Sequence, residues 1–294
     1  MYSINHNHQS NYLEISNSNK TSYAKIYLDA GASLQELTLN GHAIIQDLSP
    51  LSYSDTYASS ILFPFANRIK DGVYAFEGKT YQFEANQKEE NNALHGLVYN
   101  KTFNIINQKT DTYSASITLE FDEPNKIAGF PYSFNIQLEY ILTHTNLDLK
   151  VSVKNTDSKT FPFTLGWHPY FISDHLKSSS IQMESTQKLL IGERNITTGI
   201  EDTSPVNIFK IEDKQLDDCW ILNSGDVYFN TSKYRLHIGS TGKKNFLQAY
   251  TPPRLNTIAI EPTTGVSDSF NNKIGLDDLK SNETYTITWN LKID

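Results

Sequence analysis

The chain has 294 residues, a formal net charge of -8 and a pI near 5.5, with 38% hydrophobic and 12% aromatic residues. Lys and Arg are scattered, so the acidic balance argues against nucleic-acid or anionic-membrane partners, while the apolar content suffices for a sizeable core. The single cysteine, Cys219, excludes an intrachain disulfide and a cysteine-based zinc site, and suits a reducing, cytoplasmic compartment.

The chain starts Met-Tyr-Ser-Ile-Asn-His-Asn-His-Gln-Ser, a polar stretch with no apolar core of the signal-peptide type. About residues 1–10 are expected to be disordered. No apolar run approaches the roughly 18 residues of a spanning helix. Period-two alternation begins at Tyr23–Leu28 and predicts a strand there. A turn or two of helix is expected within residues 54–62. Gly72–Phe83 reads as a hairpin, with Val73 and Ala75 on one arm, Tyr81 and Phe83 on the other, and Gly78 at the turn.

Further alternating strands are predicted at Ser114–Phe121, Phe134–Tyr140, Leu147–Val153, Ser180–Glu184 and Tyr285–Ile293, with a second helical turn within residues 276–282. Asn, Asp, Gly and Ser punctuate these runs at short intervals, as antiparallel hairpins require. No linker, charge run or repeat divides the chain. The expectation is one all-β domain over residues 1–294, built from antiparallel strands with few short helices.

Four segments place a polar residue inside apolar or turn-rich sequence: Leu62–Ile69 with Arg68, Ala93–Leu97 with His95, Thr164–Phe171 with His168, and Ile258–Gly265 with Glu261. A charged group at an apolar strand end needs a partner or a ligand. Each also has an ordinary structural reading. His168 would be a hydrogen-bonded core histidine, Arg68 and Glu261 salt-bridge partners, and His95 a turn residue before Gly96. Asp217 and Asp218 would be solvated residues entering a strand.

Taken together, the order Asn-Arg-Ile, His-Gly, His-Pro-Tyr-Phe, Leu-Asp-Asp before an aromatic, and Ile-Glu-Pro-Thr-Thr-Gly resembles the aldose 1-epimerase (galactose mutarotase) family. The resemblance runs from about residue 24 to residue 292. It implies a large antiparallel β-sandwich with a sugar cleft on a concave face. It also implies His168 as general acid on the ring oxygen and Glu261 as general base on the anomeric hydroxyl. Arg68 and His95 then resemble substrate-binding residues, and Asp217 matches the family's binding aspartate best, with its neighbour Asp218 left open.

Interconverting the anomers of an aldose requires a proton off the anomeric hydroxyl and a proton onto the ring oxygen, followed by rotation and reclosure. A carboxylate and an imidazolium supply these steps, each worth about 10²- to 10⁴-fold. That assignment expects Glu261 ionised and His168 protonated below about pH 6.5–7, and a bell-shaped pH dependence. It calls for no metal, nucleotide or redox cofactor.

The expected partner is a small-molecule aldose, with glucose and galactose as candidates and the chain a monomer or homodimer. A hexose-6-phosphate is the alternative substrate, for which Lys70, Arg254 and Lys273 are the candidate rim cations. A noncatalytic carbohydrate-binding protein is the alternative from another class. A metal-dependent barrel enzyme is disfavoured because the only His-x-His pair is His6 and His8. Trp167, Tyr170 and Trp220 are candidate stacking aromatics, each with an ordinary core reading as well, and alternation next to His168 would turn Trp167 toward the core.

Overall fold

The computed structural model describes residues 1–294. The first five strands, β1 (Tyr2–Asn7), β2 (Tyr12–Asn17), β3 (Tyr23–Tyr27), β4 (Ser33–Leu39) and β5 (His42–Ile45), form an antiparallel sheet in sequence order. One turn of helix, α1 (Tyr53–Thr56), follows and stops at Tyr57, which is left-handed at φ 50. Short strands β6 (Ile61–Leu62), β7 (Arg68–Lys70), β8 (Val73–Phe76), β9 (Lys79–Gln82) and β10 (Asn92–Leu94) complete the region that carries Arg68 and His95.

The remaining strands are β11 (Asn104–Thr110), β12 (Ala115–Glu123), β13 (Phe134–Leu142), β14 (Asn146–Asn155), β15 (Phe161–Phe163), β16 (Gly166–Trp167) and β17 (Tyr170–Ile172). They continue with β18 (Ser180–Ile191), β19 (Thr197–Lys210), β20 (Asp217–Leu222), β21 (Asp226–Asn230), β22 (Arg235–Ser240), β23 (Phe246–Tyr250) and β24 (Thr257–Thr263). A second single-turn helix, α2 (Ser269–Asn272), precedes β25 (Asp277–Leu279) and β26 (Thr284–Ile293). One 15-stranded antiparallel sheet runs from β11 through β14, β26, β22, β21 and β18 to β20, β23, β24, β16 and β6.

Alternation explains how this sheet meets the first one. Ile117 and Leu119 of β12, Ile136 and Leu138 of β13, and Val151 and Val153 of β14 point inward at every second position and are fully buried. They join Leu13, Ile15, Ile26 and Leu37 of the first sheet in one hydrophobic cluster of 60 buried residues. The architecture is therefore a large antiparallel β-sandwich. Each fully buried Leu, Ile or Phe in it is worth about 1.5–3 kcal/mol of transfer free energy, counted against an extended chain.

Three expectations need correction. The chain start is not disordered: Tyr2–Asn7 pairs with Tyr12–Asn17 in full register, and the Tyr2 amide donates to the Asp111 carbonyl. Polar composition hid the period: Tyr2 is buried and Ile4 packs on the main core, with polar residues between them facing out. Residues 276–282 hold strand β25 on β15 rather than a helical turn. Within residues 54–62 the helix ends at Thr56, and Ile61–Leu62 is already strand. The 72–83 hairpin forms as β8 and β9. No helix is long and apolar enough to cross a membrane.

Candidate active site

The register of the large sheet builds one wall of the site. Glu261 on β24 lies opposite Gln248 on β23, and one row away Tyr250 lies opposite both Ala259 and Asp217 of β20. Directly paired residues share a face and the period is two, so Glu261, Gln248, Tyr250 and Asp217 all face the same side. Tyr170 on β17 pairs with Ala259 and joins them. Asp218 points the other way, where its carboxylate pairs with Lys188. Strand parity thus selects Asp217 over Asp218.

The same parity removes Trp220 from the site. It shares Asp218's side of β20, is buried against Phe209 with ring centroids 5.1 Å apart, and contributes to the core. Trp167 is fully buried and stacks on Trp289, as its position next to His168 predicts. Among the aromatic candidates only Tyr170 reaches the cleft, its ring stacked on His168 at 4.9 Å.

His168 is held by its backbone. Its amide donates to the Ser60 carbonyl at 3.1 Å and its carbonyl accepts from Ser59 at 2.8 Å, fixing the residue between β16 and β17. His95 reaches it from the opposite loop through the His-Gly pair. Gly96 sits where a Cβ would lie 2.2 Å from the Phe63 carbonyl oxygen, at φ 76, so only glycine lets this loop lie on the Phe63 backbone. His95 itself is left-handed at φ 61, and its amide donates to the Asn67 carbonyl. Its ring meets that of His168 edge-on at 5.1 Å.

All five residues expected at the site line one cavity of about 200 Å³: Arg68, His95, His168, Asp217 and Glu261. That volume is below the roughly 300–1,000 Å³ of drug-sized ligand sites and suits a single sugar ring. Lining residues beyond the expected set include Asp55, Tyr57, Asn67, Gln87, Gln248 and Tyr250. Gln248 was detectable as a lone amide in the apolar run Phe246–Tyr250; Tyr57 and Gln87 lie in loops whose sequence carries no such contrast. Gln248 donates to Asp217 at 2.7 Å and so fixes the carboxylate. A larger cleft, about 720 Å³, lies elsewhere along His42, Ile172, Lys233 and Arg254 and holds none of the five expected residues.

His168 Nε2 lies 3.4 Å from Glu261 Oε1, both side chains buried. The expectation of an ion pair needs revision for the ligand-free site. Burial lowers the His168 pKa from 6.5 to about 4 and raises that of Glu261 well above 4.5, because each charged form loses hydration. Arg68 pulls Glu261 back toward the carboxylate without reversing the direction. Both directions favour the uncharged pair, imidazole beside carboxylic acid with its proton on Glu261, over the ion pair. An ion pair has the same proton count and differs only in which partner carries it.

Burial also raises the Asp217 pKa, and desolvation with the nearby His168 and Arg68 keeps His95 neutral. Arg68 is the only basic residue other than histidine that lines the cavity. Its Nε donates to Glu90 at 3.0 Å and Gln87 at 3.1 Å, and its Nη1 donates to Asn67 at 2.9 Å. His6 and His8 lie on the outer strand β1, where His6 contacts Asn11, and neither lines the cavity.

The fold agrees with the relatives of the chain. The family model for aldose 1-epimerase matches residues 13–292. The uncharacterized protein YihR of Escherichia coli is 23% identical over 281 residues, covering 92% of this chain and 90% of that protein. Human galactose mutarotase is 26% identical over 155 residues, covering 51% of this chain and 43% of the human protein. A crystal structure of a galactose mutarotase-like protein from Clostridium acetobutylicum superimposes with a TM-score of 0.88 at 21% identity, covering 100% of this chain and 98% of that one. The chain belongs to the aldose 1-epimerase family and is an isomerase of the mutarotase type.

Proposed function

We propose that the protein interconverts the α and β anomers of a free aldohexose such as galactose or glucose. The observation that carries the proposal is the buried His168–Glu261 pair, 3.4 Å apart on the wall of a sugar-sized cavity. The anomeric hydroxyl oxygen and the ring oxygen share one carbon, so the groups serving them must converge on a point. These two do.

Glu261, as carboxylate, takes the proton of the anomeric hydroxyl while His168 gives a proton to the ring oxygen. The C1–ring oxygen bond breaks, and the open aldehyde rotates about C1–C2. Reclosure on the other face returns both protons, with His168 as base and Glu261 as acid. The single proton resting on Glu261 reaches His168 as the sugar binds, since its hydroxyls and the Arg68 charge stabilise the carboxylate in place of water. Arg68, His95 and Asp217 hold ring hydroxyls, and Tyr170 and Tyr250 present aromatic surface to the ring.

A free sugar is favoured over a 6-phosphate by the charges of the cavity. Asp55, Asp217 and Glu261 line it against Arg68, which is already paired with Glu90. Of the three candidate rim cations, Arg254 donates to the Asp47 and Ser49 carbonyls, Lys273 donates to the Phe270 carbonyl, and none of Lys70, Arg254 and Lys273 lines the cavity. Coupled-enzyme or polarimetric assays over free and phosphorylated aldoses test this. The expected result is turnover of a free hexose with kcat/KM at least about 100-fold above its 6-phosphate, from one unpaired dianion in an acidic cleft. Preferential turnover of the phosphate would overturn the substrate assignment.

A further inference from the structure

The hairpin of β18 and β19 ends in a tip with two consecutive left-handed residues, Arg194 at φ 59 and Asn195 at φ 56. Such backbone is unfavourable for residues other than glycine unless the surroundings hold it. Here the surroundings are the loop that carries Glu90. Arg194 Nε donates to the Glu90 carbonyl at 2.6 Å, and its Nη2 donates to Asn91 O, Asn92 Oδ1 and Asp71 Oδ1. Asn92, fully buried, donates back to the Arg194 carbonyl at 3.0 Å. Ser267 closes the other side by donating to the Asn195 carbonyl at 2.8 Å.

The tip also reaches the cavity through one side chain. Asn195 Nδ2 donates to Glu90 Oε1 at 2.7 Å, and the other oxygen of that carboxylate, Oε2, accepts from Arg68 Nε at 3.0 Å. Glu90 is therefore held at both oxygens, between the hairpin tip and the guanidinium. With Nε engaged by Glu90 and Gln87 and one Nη1 hydrogen by Asn67, the Arg68 Nη2 is the nitrogen with no protein partner and the one left free for a ligand. A guanidinium is planar and rigid, so fixing its Nε edge fixes the direction of Nη2.

We propose that Asn195 and Arg194 are positioning residues: the docked hairpin tip orients Arg68 toward the sugar through the Glu90 carboxylate. The inference rests on the reading of Arg68 as a substrate-binding residue. Its consequence is that residues far from the cavity in sequence, on a hairpin that contributes no side chain to the cavity wall, set the affinity for substrate. An arm undocked at its tip leaves Glu90 free to rotate and Arg68 without a fixed direction.

A double-mutant cycle tests this, with Asn195→Ala and Arg194→Ala each made in the wild-type and in the Arg68→Lys background, and with KM and kcat measured separately. Asn195→Ala is expected to raise KM about tenfold, the loss of one hydrogen bond to a charged group, with kcat changed less than about threefold. In the Arg68→Lys background, where Nη2 no longer exists, the same substitution is expected to add less than about twofold. Arg194→Ala should follow the same pattern with a larger KM effect. Equal losses in both backgrounds, or a fall in kcat with KM unchanged, would overturn the positioning role and leave the tip purely structural. If Arg68→Lys and Arg68→Ala both keep wild-type KM, the substrate-binding reading of Arg68 fails, and this inference fails with it.

Discussion

At the scale of single residues, the proposed role of the His168–Glu261 pair carries consequences for both rate and stability. Glu261→Gln and His168→Asn should each lower kcat/KM by about 10²- to 10⁴-fold, measured by polarimetry, since each removes a positioned proton-transfer group. The free-enzyme pH profile of kcat/KM should be a bell. Its acid limb lies near 4, where the resting pair takes a second proton at His168, and its alkaline limb lies above the usual carboxylate range, where Glu261 gives up the last one. Both limbs belong to the pair and not to either residue alone.

The same directions carry a stability cost. A carboxyl whose pKa rises on folding contributes stability that is present below its ordinary value of 4.5 and is lost as pH climbs toward the folded value. The depressed His168 acts in the opposite sense, losing stability as pH falls from 6.5 toward about 4. Glu261→Gln should therefore raise the thermal midpoint at pH 8 even as it lowers activity, with about 2–4 °C expected per kcal/mol recovered in a large domain. An unchanged or lower midpoint in differential scanning calorimetry would show that Glu261 is not held against its ionisation.

At the scale of elements, the sequence carried the motif residues well and their facing only in part. Arg68, His95, His168, Asp217 and Glu261 all reach one cavity, the first four from a strand end or a glycine-bounded turn, whereas Glu261 lies inside β24, which runs on through Pro262 to Thr263, and not at the strand end expected of it. The choice between Asp217 and Asp218 needed the register of β20 on β23, which no local pattern supplies. Trp220 was misplaced for the same reason. Parity makes a direct prediction: Asp217→Asn should lower kcat/KM by about tenfold or more, while Asp218→Asn, on the opposite face with Lys188, should stay within about twofold. Similar losses in both would contradict the register.

Strand β1 shows the converse limit. Its polar composition concealed an edge strand because the inward residues are only Tyr2 and Ile4, too few to register as a hydrophobic run. Removing residues 1–7 should lower the thermal midpoint by several degrees, since burial of Tyr2 alone is worth about 1.5–3 kcal/mol and β2 would be left as a bare edge. Circular dichroism melts check this. A midpoint equal to that of the full chain would mean the strand adds nothing to the fold.

At the scale of the whole molecule, the all-β class followed from period-two alternation, because inward and outward positions are read directly from each strand. The order of strands in the large sheet was not readable, since β24 meets β16, β17 and β23 across long sequence separations. That order is what brings His168 to Glu261. The ionisation of the pair was likewise invisible in sequence, because it depends on how completely both groups are dried by the assembled sandwich.

The central claim is that this pair opens and recloses a free sugar ring, as opposed to merely holding it. Polarimetry on freshly dissolved α-galactose and α-glucose, with wild type against Glu261→Gln, is the direct measurement. Wild type should speed the optical change well beyond the spontaneous rate, and the variant should fall back by about 10²-fold or more. A wild-type protein that binds either sugar without accelerating its mutarotation, or a Glu261→Gln variant as fast as wild type, would contradict it.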